Sequence, residues 1–132
     1  MKKIAFICIG NSIRSQMAEG FAKVLGKGIV EVYSAGSRPR GFVDPMAVQV
    51  MKEKGIDISS HSSKSVNDLP QAEYAYIIGM GCGDECPLLP AKNKIDWSID
   101  DPVAGGVEKF KKIRDEIEGK VKELINKIKS SQ

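Results

Sequence analysis

Several residue types on which particular protein classes depend are scarce in this chain. It has one histidine, His61, among 132 residues, which argues against a Cys–His catalytic dyad and against a histidine-rich metal site. It has three cysteines, whereas secreted disulfide scaffolds are richer in cysteine and usually carry an even number. No apolar run approaches the roughly 18 residues of a membrane span. The start, Met1-Lys2-Lys3 before a short apolar run, is too brief for a signal peptide. We therefore expect a cytoplasmic protein that does not contact a membrane.

Charge of one sign is also not in large excess. The formal net charge is +3, and the basic residues do not gather into a stripe of the kind that binds nucleic acid. This mild positive charge suits an anionic substrate and excludes no enzyme class. The length predicts one domain, residues 1–132, with a hydrophobic core of its own. We expect no cofactor and no resident metal, and we expect a monomer.

The hydrophobic pattern alternates between strands and helices. It predicts strands at residues 3–7, 29–34, 74–80 and 94–97, and helices at residues 15–25, 44–55 and 107–128. Residues 60–69 are polar and predict a loop with a short turn of helix. Strands that alternate with helices indicate an α/β fold with a parallel sheet and helices on both faces.

The loop between the first strand and the first helix is the most informative segment. It has the sequence Cys8-Ile9-Gly10-Asn11-Ser12-Ile13-Arg14-Ser15. A tight loop that opens a helix turns backbone N–H groups inward and binds anions, and Arg14 can close the ring around a tetrahedral oxyanion. Cys8 would be held there as a thiolate nucleophile, with a hydrogen bond from Ser15. The alternative is an ordinary Gly/Ser turn in which Cys8 is a small buried apolar residue.

Two further segments follow predicted strands. The loop with Cys82 and Cys86 comes after the third strand, and Asp101-Pro102 comes after the fourth. Because ligands bind beyond the carboxyl ends of parallel strands, both segments are expected at the same edge as Cys8. Alternatives from the residues alone are two incidental cysteines, a partial zinc site with His61, and a simple turn at Asp101.

The chain resembles the low-molecular-weight protein tyrosine phosphatase superfamily. The resemblance is carried by the run from Cys8 to Phe21, by Tyr33-Ser34-Ala35-Gly36 and by Gly55-Ile56-Asp57-Ile58-Ser59. It continues through the loop from Cys82 to Pro90 and the segment from Trp97 to Pro102, so it covers nearly the whole chain. Within the superfamily the chain is most similar to thioredoxin-coupled arsenate reductases. The resemblance implies a four-stranded parallel sheet with flanking helices.

The resemblance also implies roles for the site residues. Cys8 is then the nucleophile, Arg14 and the backbone of residues 9–15 hold the oxygens, and Asp101 is the general acid. The proline that follows selects Asp101 over its neighbour Asp100. Cys82 and Cys86 form a thiol relay, in which Cys82 attacks Cys8 and Cys86 attacks Cys82. The pair is spaced Cys-x3-Cys, which is closer than is usual in the family.

Three functions follow from these expectations. The first is reduction of arsenate to arsenite, with phosphate or sulfate as competing anions and a thioredoxin-like protein as reductant. The second is hydrolysis of tyrosine phosphate or a small phosphomonoester by Cys8, Arg14 and Asp101. The third is a non-enzymatic oxyanion-binding or redox-sensing protein.

One position departs from the family in a way that bears on a cation. Some arsenate reductases of this family bind potassium behind the loop, through residues that match Asn11, Glu19, Ser34 and an aspartate. In this chain Lys64 stands at the position of the aspartate. We expect the Lys64 ammonium to take roughly the place of the ion and to pair with Glu19.

Overall fold

The computed structural model describes residues 1–81 and 89–131. In chain order the elements are β1 (Lys2–Cys8), α1 (Arg14–Leu25), β2 (Val30–Gly36), α2 (Pro45–Lys52), a short 3-10 helix (Val66–Asp68), β3 (Tyr74–Gly79), β4 (Ala91–Asp96) and α3 (Gly106–Ser130). All four strands and all three helices predicted from the sequence are therefore confirmed. The largest shift of a strand boundary is at β4, which begins three residues earlier than expected because its exposed residues Lys92, Asn93 and Lys94 hide the apolar signal.

The sheet has the order β2-β1-β3-β4, and every neighbouring pair is parallel. β1 therefore lies in the interior, paired along its length with β2 and with β3. After β1 the chain crosses to β2, at one edge of the sheet. After β3 it crosses to β4, at the opposite edge. The carboxyl ends of β1 and β3 thus flank a point where the strand order reverses, which is where open α/β sheets bind their ligands.

The two faces of the sheet are covered unequally. α1, α2 and α3 all pack on the face that carries Ile4, Phe6 and Ile78. The opposite face, with Ala5, Ile7 and Ile77, is covered in the described residues by the 3-10 helix and by Leu69 and Leu89. The fold class expected from the sequence is confirmed. Among the described residues, a full helical layer lies on one face and a single short 3-10 turn on the other.

Local chemistry explains why α2 and α3 form where they do. Asp44 caps α2, because its Oδ1 accepts a hydrogen bond from the Met46 N–H at 2.8 Å, and Pro45 occupies the first turn. α3 buries one apolar stripe, formed by Phe110, Ile113, Ile117, Val121, Leu124, Ile125 and Ile128. Within the described residues, no helix combines the length and the apolar character that a membrane crossing needs.

Candidate active site

Cys8 is the last residue of β1 and faces the helical layer. Alternation along the strand places it on the same face as Ile4 and Phe6, and the residue is only 2% exposed. Its Sγ lies 2.9 Å from Ser15 Oγ and 3.1 Å from the backbone nitrogen of Asn11, which donates to it. The sulfur therefore accepts one backbone hydrogen bond and lies within hydrogen-bond distance of a hydroxyl.

The loop holds its carbonyl oxygens away from the sulfur. The Cys8, Ile9 and Gly10 carbonyls accept hydrogen bonds from the N–H groups of Ser37, Arg38 and Arg40, at 3.3, 2.9 and 2.9 Å. The segment after β2 therefore runs alongside the loop. Gly36 permits this approach, because a Cβ there would lie 2.4 Å from the Ile9 carbonyl oxygen. These hydrogen bonds direct three loop carbonyl oxygens towards the segment after β2.

Arg14 is held at the strand-order reversal by the ends of β3 and of the segment after β4. Its Nη1 donates to the carbonyl oxygens of Met80 at 2.9 Å and of Ile99 at 3.0 Å, and the residue is 8% exposed. Gly81 makes room for it, because a Cβ on Gly81 would lie 2.9 Å from Arg14 Nη1 and 2.5 Å from the Ile99 oxygen. The guanidinium is thus fixed before any anion arrives, which lowers the entropy lost on binding.

These side chains meet at one small cavity. Its lining is formed by Cys8, Gly10, Ser12, Ile13, Arg14, Arg40 and Asp101, and its volume is about 40 Å³. Asp101 is exposed, and its Oδ1 accepts a hydrogen bond from the Val103 N–H at 3.1 Å. Asp100 does not line this cavity and instead lies 3.6 Å from the ammonium of Lys109. The structure therefore brings together the three residues singled out from the sequence and favours Asp101 over its neighbour.

Arg40 is the lining residue that the sequence did not single out. It lies in the loop between β2 and α2, more than 20 residues from the Cys8 loop. A pairing of Ser37, Arg38 and Arg40 with the loop carbonyls has no signature in the linear pattern, because the contact is made only when β2 pairs with β1. The sequence Arg-Pro-Arg at residues 38–40 is the one local feature that could have indicated a basic residue near an anion site.

Behind the loop, the side chain of Asn11 sets the direction of several hydrogen bonds. Asn11 has a φ of 46°, in the left-handed region that asparagine tolerates better than most residues. Its Nδ2 donates to Ser15 Oγ at 2.8 Å and to Ser34 Oγ at 3.0 Å. Because both hydroxyls accept from the amide, each turns its own proton elsewhere. Ser15 then donates to Cys8 Sγ, and Ser34 donates to Glu19.

Glu19 is a buried carboxylate, 4% exposed, that faces two lysines and the histidine. Lys23 Nζ lies 2.5 Å from its Oε2, His61 Nδ1 lies 3.5 Å from the same oxygen, and Lys64 Nζ lies 3.7 Å from Oε1. Burial alone raises the pKa of Glu19. The hydrogen bonds from Lys23 and Ser34 and the nearby charges of Lys64 and His61 outweigh it, so the pKa falls below its usual value.

Gln16 and His61 complete the support of the loop. Gln16 Nε2 is 3.0 Å from Asn11 Oδ1 and 3.0 Å from the Ser62 carbonyl oxygen, so it acts as donor to both. Its Oε1 is left to accept from His61 Nδ1 at 3.1 Å, which places the proton of a neutral imidazole on Nδ1. Burial lowers the pKa of His61, and the charge of Glu19 offsets this only in part. His61 therefore acts as a hydrogen-bonding residue of the loop support, and its side chain is only 11% exposed.

The comparison with protein families decides the membership of the chain. The family model described as low molecular weight phosphotyrosine protein phosphatase matches residues 3–132. The chain belongs to this family. The resemblance read from the Cys8 loop and the Asp101-Pro102 segment is thereby confirmed.

Similar proteins and structures narrow the comparison within the family. A glutaredoxin arsenate reductase of Synechocystis is 40% identical over 131 residues, which cover 97% of this chain and 99% of the relative. A solved arsenate reductase in its phosphate-binding state has a TM-score of 0.87 and 40% identity, and it covers 97% of this chain. A thioredoxin-dependent arsenate reductase of Corynebacterium glutamicum has a TM-score of 0.83 and 35% identity, covering all of this chain and 64% of its own.

Two residues of the expected site lie outside this description. Cys82 and Cys86 fall in residues 82–88, which are not among the described residues. Their predicted roles in a thiol relay therefore stay predictions. Within residues 1–81 and 89–131, no cluster of three or more His, Cys, Asp or Glu side chains could hold a metal ion.

The pocket behind the loop does not suit the potassium ion that some family members bind. Lys64 Nζ lies 3.7 Å from Glu19 Oε1 and donates to the Ser62 carbonyl oxygen at 2.7 Å. The Lys64 backbone N–H also donates to Asn11 Oδ1, the oxygen that a cation there would need. An ammonium at this distance from Glu19 repels a second cation. The ion pair expected from the sequence is present, and the residues do not fit the ion.

The first prediction concerns potassium. Exchanging sodium for potassium should change neither the activity nor the melting temperature of the wild type, because Lys64 supplies the positive charge. Lys64→Asp removes that charge and adds a ligand, so its melting temperature should rise in potassium and not in sodium. Differential scanning fluorimetry at constant ionic strength measures both. Lys27→Asp is the matched control, since Lys27 is exposed and its substitution changes the net charge equally. A potassium-specific stabilisation of the wild type would contradict the prediction.

The second prediction concerns pH and uses the fact that His61 is the single histidine. Its pKa is lower in the folded state than its ordinary value of 6.5, so the unfolded chain takes up the proton first as the pH falls. The free energy of unfolding should therefore decrease as the pH drops below 6.5. Glu19, whose pKa is also lowered, adds to this loss only near and below its ordinary value of 4.5.

The window between those two values isolates the histidine. Urea unfolding at several pH values should show a slope in the wild type between about pH 6.5 and pH 5, and a much smaller slope in His61→Gln. Glutamine can still donate to Gln16 Oε1, so the variant should fold. Equal slopes in the two proteins would show that His61 is not the group that titrates.

Proposed function

We propose that the protein reduces arsenate to arsenite. The observation that carries the proposal is the likeness to arsenate reductases at 40% identity over almost the entire chain. The cavity supports it, because a thiol, an arginine and a carboxyl group line one anion-sized space. Backbone N–H groups at the start of α1 add donors for the oxyanion, since a helix N-terminus favours negative charge.

The first step forms a bond between sulfur and arsenic. The Cys8 thiolate, stabilised by the Asn11 N–H and the Ser15 hydroxyl, attacks the arsenic atom of bound arsenate. Arg14 and the N–H groups of residues 9–15 hold the remaining oxygens. The arsenic–oxygen bond opposite the sulfur breaks, and Asp101 gives its proton to the departing hydroxide, which leaves as water. The product is an arseno-thiol ester on Cys8, with arsenic still in its +5 state.

The second step transfers two electrons. The thiolate of Cys82 attacks Cys8 Sγ, the sulfur–arsenic bond breaks, and its electron pair stays on arsenic, which leaves as arsenite. A Cys8–Cys82 disulfide remains. Cys86 then attacks Cys82, releasing the Cys8 thiolate and leaving a Cys82–Cys86 disulfide. Chain connectivity supports this order, because Cys82 directly follows Gly81, which lies beside Arg14 at the cavity.

An external dithiol must return the two electrons. We propose a thioredoxin-like protein, which reduces the Cys82–Cys86 disulfide through a mixed disulfide. One similar structure is named thioredoxin-dependent and one similar protein is named a glutaredoxin arsenate reductase. Thioredoxins and glutaredoxins are both proteins that reduce disulfides by thiol–disulfide exchange. The assay should therefore offer each reductant separately.

Phosphatase activity is the second candidate, and the family description itself favours it. Cys8, Arg14 and Asp101 would serve both reactions, since phosphate and arsenate are both tetrahedral oxyanions. The two functions differ in the number of thiols that they need. Hydrolysis needs only Cys8, because water cleaves the phosphocysteine intermediate, whereas reduction needs a second thiol to accept the oxidation.

The third prediction separates the candidates at Cys82 and Cys86. With thioredoxin, thioredoxin reductase and NADPH, arsenate should cause NADPH consumption above the arsenate-free rate. Cys82→Ser should abolish this consumption and leave the hydrolysis of an aryl phosphate within about twofold, because that reaction does not use the second thiol. Cys86→Ser should accumulate the Cys8–Cys82 disulfide, identified by peptide mass mapping. If the wild type shows no arsenate-dependent consumption with thioredoxin or with glutaredoxin, the reductase proposal fails.

The fourth prediction uses the two adjacent aspartates as a matched pair. Asp101→Asn removes the proposed proton donor and should lower kcat for aryl phosphate hydrolysis by about 10² to 10⁴. Asp100→Asn should leave kcat nearly unchanged, because Asp100 is exposed and lies beside Lys109 and not at the cavity. Steady-state kinetics with p-nitrophenyl phosphate give both values. An equal loss in the two variants would assign the effect to loop stability and not to proton transfer.

A further inference from the structure

Arg40 lies at the cavity with a side chain that several contacts hold in place. Its backbone N–H donates to the Gly10 carbonyl oxygen at 2.9 Å. Its Cγ and Cδ lie over Gly10, each 3.1 Å from the point a Cβ there would occupy. The guanidinium carbon lies 4.5 Å from the centre of the Phe42 ring. Arg40 is thus seated on the anion loop itself and is not a freely moving surface arginine.

The charged end of Arg40 is only partly engaged. Nη1 lies 3.4 Å from Ser12 Oγ and 3.6 Å from Asp44 Oδ2, and the side chain is 41% exposed. An ion pair of this length and exposure contributes little free energy. Among the described residues, the other guanidinium nitrogens have no hydrogen-bond partner. A guanidinium carries five N–H donors, so Arg40 has donors left for a ligand.

The position of these donors decides which ligand they suit. Arg14 is anchored to the Met80 and Ile99 carbonyls, whereas Arg40 is on the half-exposed side of the same cavity. An inorganic oxyanion presents an oxygen outwards, on the side opposite the sulfur. A phosphate ester or a phosphonate presents an organic group there. The N–H groups of Arg40 form a charge-assisted hydrogen bond when the ligand places an oxygen beside them. When the ligand places a carbon there instead, these N–H groups lose water and gain no partner.

We propose that Arg40 is a specificity-determining residue of this site, whose guanidinium binds the outward oxygen of a free tetrahedral oxyanion and so favours inorganic oxyanions over organic esters. The proposal rests on the proposed oxyanion site and is independent of the electron transfer. The Phe42 ring lies 4.5 Å from the guanidinium carbon, and Asp44 Oδ2 lies 3.6 Å from Nη1. Asp101 lines the same cavity, where Arg40 is a second cationic side chain beside Arg14.

The test measures binding alone, through protection of Cys8 from alkylation by iodoacetamide. Peptide mass mapping reports the rate at Cys8, with inorganic phosphate or phenylphosphonate as the protecting anion. Both anions are tetrahedral, and phenylphosphonate replaces one oxygen by a phenyl group. Arg40→Met keeps the apolar stem over Gly10 and removes the donors. Arg38→Gln is the matched control, because Arg38 is an exposed arginine of the same segment that does not line the cavity.

In Arg40→Met, the phosphate concentration for half-protection should rise about tenfold, the size of one charge-assisted hydrogen bond. The concentration of phenylphosphonate should change by less than about twofold, and Arg40→Lys should recover part of the loss for phosphate. Arg38→Gln should behave like the wild type with both anions.

Three results would overturn the proposal: unchanged phosphate protection in Arg40→Met, an equal loss for phosphate and phenylphosphonate, or an equal loss in Arg38→Gln. The last two would indicate loop damage or a long-range charge effect. Melting temperatures identify any variant that does not fold, and Arg40→Gln then replaces Arg40→Met under the same criteria. If no anion protects Cys8 in the wild type, the proposed oxyanion site is wrong. If phosphate protects Cys8 equally in the wild type and in Arg40→Met, only the specificity role of Arg40 is refuted.

Discussion

The structure depends on keeping hydrogen-bond acceptors away from the buried sulfur of Cys8, which the proposed mechanism uses as a thiolate. Charge on a buried group is costly unless donors compensate it. Two arrangements around Cys8 meet this need, one by binding nearby acceptors and one by orienting a donor. The segment of residues 37–40 binds the loop carbonyls on their outer side, and the Asn11 amide orients the Ser15 hydroxyl so that it donates to Sγ. Either arrangement alone would leave an acceptor free to turn towards the thiolate.

Asn11 is therefore connected to more of the molecule than its size suggests. Its left-handed φ lets the loop turn. Its Nδ2 donates to the hydroxyls of Ser15 and Ser34 and so orients them. Its Oδ1 accepts hydrogen bonds from Gln16 Nε2 and from the Lys64 backbone N–H. The Glu19 cluster lies at the end of this network. A buried carboxylate needs compensating charge, and in this chain Lys23 and Lys64 supply it. Because lysine side chains are covalently attached, their charge is present without any ion from solution.

The fold and the local part of the site could be predicted from the sequence, and the reasons are physical. β1, the Cys8 loop and α1 are consecutive, so period-2 and period-3.6 patterns place Cys8 and Arg14 directly. Asp101 was expected at the same edge because parallel strands share the direction of their carboxyl ends. Arg40, Gln16 and His61 could not be predicted in this way. Their contacts with the loop depend on the pairing of β2 with β1 and on the path of residues 61–65, and no local pattern encodes either.

The same argument explains why the reaction class is harder to derive than the site. The donors around Cys8 and Arg14 recognise a tetrahedral oxyanion, and phosphate and arsenate present nearly the same shape and charge to them. Chemistry diverges only after the sulfur has attacked, when the intermediate meets either water or a second thiol. In the proposed mechanism the loop therefore determines the ligand class, while residues from other segments of the chain determine the outcome. In the proposals above, Arg40 acts on the side of the cavity from which the organic group of an ester would extend. Cys82 comes shortly after β3 in the chain, two residues beyond Met80, whose carbonyl oxygen accepts from Arg14.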